Sequence, residues 1–272
     1  MNIHGNIQKS LEESGRYYLE PVTITALAGA GISLSSFTNQ DKMPFLIQKI
    51  AVYGYDTVAL AQTKAFSLSF KDSARQQMLM SAAVHSSAFG DGDLPTILPV
   101  PYLLRGASTF EVTVTNLGVN AINVNIAFIG YKIKDKAAMD SISKIVEPMG
   151  CLYIEPLSAL NLPITTTVKN TFTNADNIPF LIQKIVGYSQ NHATLAQIFD
   201  YRTSFKDSAS NVILMSNTIH GSNLGSGKFP TILPVPFPVG GNATFEVDFA
   251  SVAAVAQDIY LSFIGFKPNF LR

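Results

Sequence analysis

His85 and Asp72 are the residues best suited to chemistry in this chain, and each occurs twice. His220 and Asp207 stand 135 positions further on. An imidazole and a carboxylate can share a metal ion or pass a proton between them. The surrounding residues argue against either use. His4 falls opposite Met139 and His192 opposite Thr57, so no second His or Cys accompanies the pair in both places. A single histidine per unit, at a strand end, reads as a hydrogen-bonded structural residue. Asp72-Ser73 with His85 invites a hydrolase reading, yet the nucleophile-elbow motif and its strand–turn–helix setting are missing. The loops Gly90-Asp91-Gly92 and Gly225-Ser226-Gly227 have the glycines of a phosphate cradle but no lysine at the required place. Glu20 with Glu155, and Glu111 with Glu246, can be imagined as hydrolytic or calcium-binding carboxylates. Neither pair lies in an Asp/Asn-rich loop, so solvent-facing strand positions are expected. With no Trp and ten Tyr, aromatic platforms for sugars are few. The expectation is no catalytic residue, no metal site and no cofactor.

Each candidate is doubled because nearly the whole chain is doubled. Pro44–Ile50 (PFLIQKI) returns letter for letter as Pro179–Ile185, Pro95–Pro101 (PTILPVP) as Pro230–Pro236, and Thr109–Val112 (TFEV) as Thr244–Val247. The offset is 135 throughout and needs no gap. A period of that length is the size of a whole domain, not of a solenoid module. Two units are expected, 1–135 and 136–272. Residues held in both copies are explained first by the fold they share.

Within each unit the chain reads as strands. Tyr18–Leu27 alternates apolar and polar residues, and Pro21 and Pro156 place this strand at an edge. Ile32–Phe37 is a short strand. Phe45–Tyr53 is too continuously apolar to face water and belongs in the middle of a sheet. Ala65–Phe70 and Met78–Val84 are further strands, with a turn at Lys71-Asp72-Ser73. Pro95, Pro99 and Pro101, with Pro230, Pro234 and Pro236, make extended segments that cross between sheets or cover an edge. They are candidate interface or structural residues, as are His85 and His220. Ser108–Asn116 and Ile122–Tyr131 close the unit around a turn at Asn116-Leu117-Gly118, whose residues accept a left-handed backbone. The class is all-β: two tandem antiparallel β-sandwiches of jelly-roll type. Each opens with a short helix or arm, since Ile7 and Leu11, and Ile142 and Val146, keep helical spacing ahead of Gly15 and Gly150. The first of these arms either reaches a neighbouring subunit or is a frayed end, and the second is also the linker.

Composition narrows the classes of function. The chain of 272 residues is 47% hydrophobic and only 14% charged, with formal net charge zero; about a quarter charged is usual. The deficit suggests surface covered by other subunits, or else the uncharged Ser/Thr/Asn surface common in β-rich proteins. Basic clusters are missing, so direct nucleic-acid binding is not expected. The uncharged stretch Pro21–Gln40 is broken by Gly29 and Gly31 and reads as strands, so no membrane span is expected. A secretory signal is not expected either. The single cysteine, Cys151, excludes an intrachain disulfide and reads as a buried structural thiol.

The series Leu94-Pro95…Leu98-Pro99-Val100-Pro101-Tyr102, Gly106…Phe110–Asn116 and Val124–Lys132 resembles the C-terminal half of small β-sandwich proteins of phage particles. Phe229–Phe237, Gly241–Phe249 and Ile259–Lys267 repeat the pattern. Two jelly rolls in tandem also resemble, more distantly, double jelly-roll capsid proteins. The resemblance implies a non-enzymatic virion structural protein of a bacteriophage, in the head shell or its decoration, vertex or neck. Its implied partners are itself, as a homo-oligomer, and other capsid or neck proteins. Its implied location is the virion, with synthesis and assembly in the host cytoplasm. A major capsid protein of double jelly-roll type and a glycan- or receptor-binding module are the alternatives.

Overall fold

The structure, a computed structural model, describes residues 15–40, 43–209, 212, 213, 215 and 217–269. The first repeat contains β1 (Gly15–Leu27), β2 (Ile32–Thr38), β3 (Phe45–Asp56), β4 (Ala61–Thr63), β5 (Phe66–Asp72), β6 (Gln77–Met78), β7 (Val84–His85), β8 (Thr96–Leu104), β9 (Thr109–Asn116) and β10 (Ile122–Ile133). Helix α1 (Lys136–Met149) follows. The second repeat contains β11 (Cys151–Leu162), β12 (Thr167–Thr173), β13 (Phe180–Asn191), β14 (Gln197–Ile198), β15 (Tyr201–Asp207), β16 (Val212–Ile213), β17 (Ile219–His220), β18 (Thr231–Val239), β19 (Thr244–Ser251) and β20 (Gln257–Lys267). The expected arm at residues 1–14 lies outside the described residues.

One sheet of the first repeat runs β1-β10-β3-β4, with β8 also on β3; the other runs β2-β9-β5-β6. The second repeat copies both orders as β11-β20-β13-β14 with β18 on β13, and β12-β19-β15-β16 with β17 on β15. Every ladder within these strands is antiparallel, and the fold is all-β in tandem sandwiches of jelly-roll type.

Alternation explains the sandwich. β9 and β19 bury every second residue, sending Phe110, Val112 and Val114, or Phe245, Val247 and Phe249, inward. Four phenylalanines meet at the centre of each unit. Phe37, Phe70, Phe110 and Phe128 hold the first, with Phe110 and Phe128 edge to face at 5.1 Å. Phe172, Phe205, Phe245 and Phe263 hold the second, with Phe245 and Phe263 at 5.4 Å. Each such pair adds about 0.5–1.5 kcal/mol beyond the area it buries.

The repeated PFLIQKI has a specific backbone task. β3 pairs Ile47 with Gly130 and Lys49 with Ile129, so Gln48 is a bulge residue. Gln183 does the same between Ile182 and Lys184. The bulge presses the strands together: a Cβ on Gly130 or Gly265 would sit 1.9 Å from the carbonyl oxygen of Leu46 or Leu181. The proline strand uses the same irregularity. β8 pairs through Thr96 and Ile97, leaves the ladder across Leu98–Pro101, and rejoins at Tyr102. Pro99 and Pro101, which have no N–H to donate, fall in the gap. The segment therefore stays at one sheet edge and does not cross between sheets.

Three further expectations are corrected. Met78–Val84 is not a strand; β6 and β7 flank a stretch of bends. Asn116 and Leu117 are not among the described residues with a left-handed backbone. Asn116 serves through its amide instead, donating to the carbonyls of Leu27, Ala28 and Asn120 and accepting from Gly118 N. Cys151 opens β11 half-buried rather than sealed in a core.

The compact units cut across the repeats. Unit 1 consists of the described residues of Met1–Leu79 and Phe89–Leu152 with Asn269; unit 2 consists of Met80–Ala88 and those of Tyr153–Pro268. Helix α1, from the start of the second repeat, therefore belongs to unit 1. Asp135 caps its N-terminus by accepting from Ala137 N and Ala138 N, and Ile142 and Val146 form its buried face.

Candidate functional site

Asp72 and His85 fall in different units. Asp72 is fully buried, and its carboxylate caps the turn by accepting from Ala74 N and Arg75 N at 3.0 and 3.2 Å. It also accepts from Tyr102 Oη at 2.7 Å, while Arg75 Nε stands 3.9 Å away. Burial, and then the bond to Asp72, hold the Tyr102 hydroxyl far above its usual range, so it stays a neutral donor. This is a structural network.

His85 lies in unit 2, 3% exposed. Its ring stacks on Tyr260 at 4.0 Å and on Tyr188 at 4.9 Å, two residues that face each other across β20 and β13. Its Nδ1 accepts from Ser87 N at 3.3 Å, with Ser87 Oγ at 2.8 Å. Burial pushes the Tyr188 hydroxyl up to about 12. His220 makes the same turn, with Ser222 N at 3.3 Å and Ser222 Oγ at 2.9 Å from Nδ1, but is only half-buried.

The carboxylates divide. Glu111 and Glu246 are half-exposed, as expected, and accept from Ser73 Oγ and Ser208 Oγ. Glu155 is a correction: it is buried, because Met80–Ala88 lies over β11, and it accepts from Ser81 Oγ at 2.7 Å. Its carboxyl is raised above the ordinary range chiefly by burial. Among the described residues, no three His, Cys, Asp or Glu side chains group as metal ligands. No helix among them is long and apolar enough to cross a membrane.

A cavity of about 610 Å³ lies in unit 1 beside α1 and β8, lined by Arg75, Tyr102, Arg105, Glu147 and Cys151 among others. Its lining offers Cys151 no histidine to act as a base. Arg105 and Glu147 face each other at 3.9 Å, both largely in solvent. The arrangement packs a helix on a strand and assembles no reacting pair.

The distinctive surface is the proline strand. Pro99, Val100 and Pro101 of β8 are buried, and α1 packs against that strand. In β18 the same letters are bare: Pro234 and Val235 are exposed and Pro236 is half-buried, while Pro95 and Pro230 are half-buried in both copies. Val100 is 0% exposed and Val235 76%. Phe229 and Ile232 extend the exposed apolar strip, although their equivalents Leu94 and Ile97 are exposed too, so the copies differ chiefly at Leu98–Pro101 and Leu233–Pro236. Sequence reasoning marked these prolines but had no signal to separate the two copies. It also missed Tyr188 and Tyr260 as the seat of His85.

No family model matches the chain, and no curated protein matches it. Solved structures do. The major capsid protein of Sulfolobus turreted icosahedral virus aligns at 12% identity over 94% of this chain and 98% of that one, with a TM-score of 0.53. A second structure from the same virus aligns at 10% identity over 94% and 92%, also at 0.53. N-glycanase F from Flavobacterium meningosepticum aligns at 9% identity over 93% and 96%, with a TM-score of 0.40. At these identities the likeness is one of fold.

Proposed function

We propose that this chain is a non-enzymatic structural protein of a virion, a shell-forming capsid protein built on two jelly rolls. The observation that carries the reading is the match to a viral major capsid protein, which runs through both sandwiches and nearly the full length of each chain. The exposed apolar strip of β18 supports it, because such a strip on a sheet edge calls for a defined partner. His85, Asp72 and the carboxylates are taken up by packing and turns, which fits a building block. Its partners are other copies of itself. The narrower assignment, to a bacteriophage head assembled in the host cytoplasm, rests on the resemblance carried by residues 94–132 and 229–267.

The test is the copy number of this chain in purified particles, by quantitative mass spectrometry. A shell protein is expected at or near the abundance of the commonest particle protein. Absence from particles, with a monodisperse monomer in solution at every concentration, overturns the proposal. A dozen copies per particle replaces the shell with a neck or vertex position.

A further inference from the structure

We propose that copies of this chain join by repeating, between molecules, the segment exchange that each chain performs within itself. The proposal rests on the assembly reading above and supplies its surfaces. Unit 1 is completed by α1, from the second repeat, and unit 2 by Met80–Ala88, from the first. Each donor has a counterpart 135 residues away. Lys136–Met149 corresponds to residues 1–14, and Met80–Ala88 to Met215–Asn223. Each acceptor has a counterpart as well, and both counterpart acceptors are bare.

The acceptor of α1 is β8; its counterpart is β18, where Val235 is 76% exposed and its equivalent in β8, Val100, is 0% exposed. Residues 1–14 have the pattern to fill that place. Ile7 and Leu11 fall opposite Ile142 and Val146, the two buried residues of α1. Lys9 and Glu12 match Lys144 and Glu147, and Gly15 matches the capping Gly150.

The acceptor of Met80–Ala88 is the outer face of β11, β20 and β13; its counterpart is that of β1, β10 and β3. Ile154 is 1% exposed and Leu19, its equivalent, 50%; Tyr188 is 8% exposed and Tyr53 38%. The donor Asn217–Asn223 already holds the bound geometry. His220 and Ser222 make the turn that His85 and Ser87 make, and Arg202 of β15 pairs with His220 and fixes it on unit 2. Asn125 stands where Tyr260 would be, so the His220 ring has one tyrosine to stack on, Tyr53.

Donors and acceptors therefore match one for one. The arm of one copy covers β18 of a second, whose His220 turn covers the β1–β10–β3 face of the first. Both contacts join unit 1 of one molecule to unit 2 of the next. The association is head to tail and either closes into a ring or continues.

The test uses the full chain carrying Cys151→Ser, so that engineered thiols stand alone. His220→Cys with Tyr53→Cys, mildly oxidised, is expected to give covalent multimers on a non-reducing gel. Val235→Asp, at an exposed position, and removal of residues 1–14 are each expected to weaken association at least tenfold by light scattering, with an unchanged circular dichroism spectrum. Cross-linking only within single chains overturns the proposal and makes the chain its own occupant. Multimers that are not cross-linked by the thiol pair and are indifferent to both weakening changes overturn these surfaces and leave the virion reading standing. A monomer at every concentration, absent from particles, removes both.

Discussion

PTILPVP is written twice in this chain and lives two lives. In β8 Leu98–Pro101 are buried, with α1 packed against the strand, and only Ile97 is exposed; in β18 Pro234 and Val235 face water beside Ile232, while Leu233 and Pro236 are half-buried. Local sequence sets the conformation of both copies, including the break in the ladder where the prolines sit. It does not set burial, which depends on what the rest of the chain lays on top. The comparison separates residues that make the sandwich from residues that make its surroundings.

The sharpest way to break the comparison is one charge in each copy. Val100→Asp puts an unpaired carboxylate into a sealed site and is expected to abolish folding, a loss of about 4 kcal/mol or more. Val235→Asp is expected to stay within about 0.5 kcal/mol for the isolated chain. Urea midpoints by circular dichroism decide, and equal costs would dissolve the distinction. The cores should behave in the opposite manner. Phe110→Ala and Phe245→Ala, equivalent and fully buried, are each expected to cost about 3–5 kcal/mol in the same assay. A large inequality would mean that the two sandwiches are not alike where they look alike.

Smaller effects test the layer between core and surface. Tyr102→Phe removes the donor to buried Asp72 and is expected to cost about 1–3 kcal/mol. Phe237→Tyr, at the equivalent half-buried position, is expected to change little. Glu155 gives the smallest and most diagnostic shift. Its folded carboxyl is raised by burial, so its contribution is most favourable below the unfolded value and is lost as pH rises through the folded one. Glu155→Gln keeps the acceptor for Ser81 and is expected to raise the melting temperature by a few degrees at pH 7, and not at pH 4. A constant gain at both pH values would assign the effect to packing.

The sandwich was legible because alternation has a period and a period survives without coordinates. β9, β10 and β19 follow the expected faces nearly residue for residue, whereas β20 is buried on both faces. Short strands broken by bends, as at Met78–Val84, carry no period and were misread. Glu155 was misread because its cover comes from Ser81, some seventy positions upstream, and no local pattern records that. The tyrosine seat of His85 was not legible, because it depends on a pairing between two strands of the other repeat.

The bulge at Gln48 and its twin at Gln183 carries one more consequence. At each, a carbonyl oxygen sits where any side chain larger than a hydrogen atom would collide, so each glycine guards the register of its own strand pair. A slip by one residue would press Ile129 or Tyr131 into the space that admits only Gly130, and likewise Ile264 or Phe266 into that of Gly265. Both copies of the same seven letters therefore carry the same steric check, which excludes a one-residue slip in either sheet.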